Sequence, residues 1–122
     1  MSVTKPIPKA LRDEMAADPY YQRCCVTGIR KGPYTKIEWH HNLISYQNGN
    51  KGRVNERWCI LPVYEDVHKL ASRSDIKEYL DWIMLNRADD ATLKKWSKVD
   101  DLIKRRDRLN KHYANEKNHP VL

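Results

Sequence analysis

Phenylalanine is absent from this chain, and four Trp and seven Tyr carry the aromatic load instead. Every large ring therefore brings a polar tip that needs a partner when buried. No apolar run approaches the ~18 residues of a membrane span. The N-terminal "MSVTKPIPKALRDEM" lacks the apolar core of a signal peptide. Three cysteines, two of them adjacent, make a poor disulfide framework and suit a reducing cytoplasm. Internal repeats and low-complexity tracts are missing too. With 40% apolar and 32% charged residues over 122 positions, the sequence predicts one domain, 1–122, with a moderate core.

What is present is positive charge. The formal charge of +7 favours an anionic partner, nucleic acid first and an acidic membrane or protein surface behind it. A Pro-punctuated arm leads into a short helix expected over Lys9 to Ala17, which Pro19 ends. "RCCVTGIRKGPYTKIEWHHNLI" reads as strand, Gly32–Pro33 turn and second strand, a hairpin-like unit. "SYQNGNKGRVNER" is a polar loop holding Lys51, Arg53 and Arg57. Pro62 limits regular pairing in "WCILPVY", and "EDVHKLASRS" reads as one or two helical turns with His68.

From Ser74, a plausible N-cap, Ile76, Tyr79, Leu80, Ile83 and Met84 form a core-facing helical stripe. A last helix is expected from about Ala91 to Tyr113, capped by Asp89 or Asp90. It would bury Leu93, Trp96, Val99, Leu102, Ile103 and Leu109. Between Lys94 and Lys111 it carries eight Lys/Arg against three Asp. Lys104, Arg105 and Arg108 cluster there as candidate phosphate contacts, with a merely solvated face as the competing reading. "NEKNHPVL" reads as a frayed tail.

Two adjacent histidines stand in the segment "IEWHHNLI". Alternation along a strand sends His40 and His41 to opposite faces. Asn55 lies 14 residues after His41 and His68 lies 13 after Asn55. Strand, loop and His-bearing helix in that order resemble the HNH (His-Asn-His, ββα-metal) endonuclease family, over about Leu11 to Leu70. The doublet is especially similar to the colicin-type variant. The fold implied is α+β: a ββα-metal core over 20–71, an N-terminal helical arm, and a C-terminal helical extension over 74–115.

The resemblance also implies roles. His40 and His68 would bind a divalent metal, and His41 would be the general base that activates water. Asn55 would hydrogen-bond to the backbone near His41. The substrate would be DNA, with RNA as the other candidate. Phage or prophage origin and a host-cytoplasmic setting are expected by the same resemblance. The chain departs from the family where a zinc-binding second Cys pair would stand, since those positions are Tyr64 and Val67. Tyr64 also stands where colicin-type enzymes have a further histidine. Two protein ligands suit Mg²⁺ or Mn²⁺ better than Zn²⁺, which stays a further option.

Other readings of the same residues stay open. Turn chemistry alone accounts for an asparagine in the Asn/Gly-rich loop, and Asn42, Asn48 and Asn50 compete with Asn55. His68 could cap the preceding turn. Cys24, Cys25 and Cys59 are most simply small buried hydrophobes, with an irregular Cys25/Cys59/His metal site as the alternative. Trp39 and Trp58 are taken as core anchors rather than base-stacking platforms. The functional competitors are a non-catalytic nucleic-acid-binding module on a degenerate HNH scaffold and an interaction protein whose basic helix grips an acidic partner.

Overall fold

The structure, a computed structural model, describes residues 7–42, 55–97 and 100–122. The described chain is α+β, with five helices and one two-stranded antiparallel sheet. Helix α1 (Lys9–Ala16) is followed by a 3-10 turn at Pro19–Gln22. Strands β1 (Ile37–His41) and β2 (Ile60–Tyr64) pair, and α2 (Glu65–Lys69) follows β2 directly. Helices α3 (Ser74–Leu85), α4 (Asp90–Trp96) and α5 (Leu102–Tyr113) complete the order. No helix among the described residues is long and apolar enough to cross a membrane.

The expected hairpin within 23–41 does not form. Residues 23–35 make only isolated bridges, Arg23 with Arg30 and Gly32 with Thr35, and the partner of β1 is β2. Gly28, at φ 76°, donates its N–H to the Cys24 carbonyl, curling this stretch into tight turns. Pro62 does not weaken the pairing either. It stands opposite Trp39, and its carbonyl points away from β1 to accept from the Cys25 N–H at 2.9 Å. The missing Pro N–H would have pointed the same way, so no ladder bond is lost.

The sheet is packed on both faces. Leu61 and Val63, opposite His40 and Glu38, join the larger core with Val67 of α2, Ile76, Leu80 and Met84 of α3, and Leu102 and Leu109 of α5. Ile60, opposite His41, joins a smaller cluster with Met15, Tyr21 and Trp39. Each fully buried aliphatic side chain contributes roughly 1.5–3 kcal/mol, so the larger cluster dominates stability. Trp39 and Trp58 are core anchors, as expected. Cys24 and Cys59 are buried core residues and Cys25 packs against them; burial pushes the Cys25 thiol up to about 12.

Three further expectations give way. The long final helix is two, α4 and α5. The Ser97 hydroxyl donates to the Leu93 carbonyl and accepts from the Leu102 N–H, while Asp101 caps α5 by accepting from the Lys104 N–H. Val99 lies outside the described residues. Ser74 is the first residue of α3 rather than its cap; Arg73 holds that position, and its guanidinium pairs with Asp75. The tail is docked. Glu116–Asn118 form a 3-10 turn, and His119 takes the Tyr79 hydroxyl on Nδ1 at 3.1 Å and reaches the Tyr113 carbonyl through Nε2 at 2.9 Å.

Candidate functional site

The alternation on β1 sets the site. Glu38, His40 and Asn42 point to one face and Trp39 and His41 to the other. Helix α2 then presents His68 over the first face. His40 Nδ1 and His68 Nε2 stand 3.2 Å apart, with ring centroids at 4.9 Å. The other nitrogen of His68, Nδ1, is 3.1 Å from Glu38 Oε1. With both rings neutral, the directions follow. An ionised carboxylate only accepts, so His68 Nδ1–H donates to Glu38. His68 Nε2 then keeps its lone pair and accepts from His40 Nδ1–H. Burial, aided by the neighbouring His68 and Lys77, lowers the His40 pKa to about 4, which keeps this ring neutral at ordinary pH.

On the opposite face, His41 Nε2 lies 3.4 Å from Asn55 Oδ1. Asn55 thus meets the ring itself, where the resemblance implies the backbone near His41. With the amide oxygen toward the ring, His41 Nε2–H donates and Nδ1 holds the lone pair. Burial lowers the His41 pKa, with the Asn55 interaction opposing. The ring is thus unprotonated near neutrality.

Two nitrogens, each about 2.1 Å from one ion, stand about 3.0–3.4 Å apart at octahedral to tetrahedral angles. The 3.2 Å between His40 Nδ1 and His68 Nε2 fits that spacing. Glu38 stands behind His68 as the carboxylate that orients a ligating imidazole. Among the described residues, no cluster of three or more His, Cys, Asp or Glu is arranged to hold a metal ion. A metal here would therefore rest on two imidazoles and complete its shell with water and substrate oxygens.

The basic candidates separate. Lys51 and Arg53 lie outside the described residues. Arg57 is tied to Asp18, approaches Glu14 at 3.9 Å and stacks over Tyr21. It holds β2 to the N-terminal arm. On α5, Arg105 pairs with Asp100, whereas Lys104 and Arg108 are exposed and make no ion pair among the described residues. Sequence reasoning missed Glu38 as a site residue. The signal was present: it precedes His40 by two on a strand, hence shares its face.

Comparison with known proteins adds no neighbour: no family model matches the chain, and neither a curated protein nor a solved structure does.

Proposed function

We propose that this chain is a metal-dependent endonuclease of the HNH type that hydrolyses DNA phosphodiester bonds. Its β1–β2–α2 unit would be a ββα-metal core, and Mg²⁺ or Mn²⁺ the working ion. The observation that carries the reading is the pair of facing imidazole nitrogens at 3.2 Å, joined from strand and helix, beside a second histidine held by Asn55. Bound between His40 and His68, the ion would supply Lewis-acid stabilisation of charge on the scissile phosphate and leaving oxygen.

The chain's own residues do the rest. Glu38 fixes the tautomer of His68 so that Nε2 faces the site. Asn55 holds His41 Nε2–H, leaving Nδ1 to take a proton from the attacking water. Buried, neutral rings at both His40 and His41 suit ligation and proton abstraction near neutral pH.

The presence of only two side-chain ligands among the described residues favours one second reading, a basic nucleic-acid-binding module without catalysis. Supercoiled plasmid separates the two. An endonuclease nicks it with Mg²⁺ or Mn²⁺ and stops on EDTA addition. A binding module retards the plasmid and leaves it intact under both conditions.

A further inference from the structure

The face that carries Glu38 and His40 continues to Asn42, and Asn42 is unusual. It is fully buried, and its backbone N–H donates to the Cys59 carbonyl at 2.8 Å. Its side-chain Nδ2 donates to Asp81 Oδ1 at 2.9 Å and touches Met84 Sδ at 3.6 Å. Asp81 is itself buried on α3 and is ion-paired with Lys77 one turn earlier, which keeps it an acceptor. The amide is thereby oriented with its nitrogen toward α3. Its Oδ1 is left buried with no hydrogen-bond partner, against the His40 ring with which Asn42 interacts. A buried amide oxygen without a donor costs about 1–3 kcal/mol, so its retention at this position asks for a reason.

The reason lies in what metal binding demands of His40. In the chain as it stands, His40 carries its proton on Nδ1 and gives it to His68. An ion held by His40 Nδ1 and His68 Nε2 needs both lone pairs. His40 must then lose the Nδ1 proton to solvent and take one up on Nε2, with no net change in protonation. The new N–H is in a desolvated place and needs an acceptor.

We propose that Asn42 is that acceptor: a positioning residue, locked by Asp81 and Lys77 on α3, that stabilises the Nε2–H tautomer of His40 required for divalent metal binding. The inference rests on the metal site proposed above, and it makes helix α3 part of that site's support. Glu38 fixes one ligand and Asn42 the other.

The test uses the full chain with histidine imidazoles labelled with ¹⁵N and Zn²⁺ as a diamagnetic probe. In the metal-free wild type, His40 should report Nδ1–H. On Zn²⁺ addition it should switch to Nε2–H, with that proton exchanging slowly. An Asn42→Ala variant, checked for folding by circular dichroism, should bind Zn²⁺ about 10–100-fold more weakly, the usual cost of losing an outer-shell partner. The variant Asn42→Asp/Asp81→Asn, which swaps the two groups and keeps the acceptor, should recover most of that loss.

A folded Asn42→Ala protein that binds Zn²⁺ as tightly as wild type overturns the proposal. So does a wild-type His40 that stays Nδ1–H with Zn²⁺ bound at His68, a result that needs no variant to fold. Wild-type spectra in which neither His40 nor His68 responds to Zn²⁺ would instead remove the metal site itself.

Discussion

His41 and His40 are adjacent, yet their surroundings prepare them differently. His41 faces Asn55 and is partly shielded, so its pKa falls below the ordinary 6.5 through burial. A general base with that property is already unprotonated at mildly acidic pH. The cleavage rate at saturating metal and DNA should therefore rise with pH to a plateau entered below 6.5. A pH–rate profile checks this, and a midpoint above 7 would be inconsistent with His41 as the base. His40 bears on stability instead. Folded, it resists protonation until about pH 4, whereas unfolded it takes a proton near 6.5. The unfolded state binds more protons between those values, so stability rises with pH there. The contribution is complete above pH 6.5, is lost as pH falls toward 4, and is worth roughly 3 kcal/mol from the lowering to about 4. Urea unfolding of wild type at pH 7 and pH 4.5 should show a loss that His40→Leu largely removes.

At the scale of elements, the period-2 pattern of β1 does most of the positioning. Because Glu38, His40 and Asn42 share a face, one five-residue strand and its next residue supply a ligand candidate and both flanking partners. That much was legible in "EWHHN". The partner strand was not, because Pro62 argues against a ladder and shows its harmlessness only once its carbonyl is seen turned toward Cys25. The break between α4 and α5 was hidden for a similar reason. Apolar spacing runs smoothly across it, and only the hydroxyl of Ser97 and the carboxylate of Asp101 interrupt the helix. Asp101→Ala should cost about 1 kcal/mol in thermal unfolding through removal of the cap. On α5, the exposed Lys104 and Arg108 are better placed for phosphates than Arg105, which Asp100 occupies. Lys104→Glu with Arg108→Glu should flatten the salt dependence of DNA binding by roughly 0.9 log units for each phosphate no longer neutralised. Unchanged affinity and slope in a filter-binding titration would assign the helix to solvent.

For the molecule as a whole, two packed faces hold the sheet, and helices appended after α2 reach back to the site through Asp81 and Lys77. The C-terminal residues belong to that assembly. His119 joins Tyr79, Trp82 and Tyr113 in one aromatic group, an arrangement invisible in "NEKNHPVL", whose polar composition resembles a free end. His119→Ala should lower stability by about 1–2 kcal/mol by removing its hydrogen bonds and ring packing, read by thermal unfolding, without altering DNA affinity. The α+β class and the His40–His68 and His41–Asn55 pairings were legible because spacing and alternation encode them. Glu38, Asn42 and Asp81 owe their roles to tertiary neighbours that spacing does not reveal.

The central claim is that His41 takes the proton from water beside a metal held by His40 and His68. Single-turnover cleavage of saturating plasmid DNA by wild type and His41→Ala, each with Mn²⁺ and with EDTA, tests it most directly. The account predicts metal-dependent cleavage by wild type. It also predicts a loss of about 10²–10⁴ in rate for a folded His41→Ala protein that still binds DNA and metal. Equal rates for the two proteins, or cleavage that persists in EDTA, would contradict it.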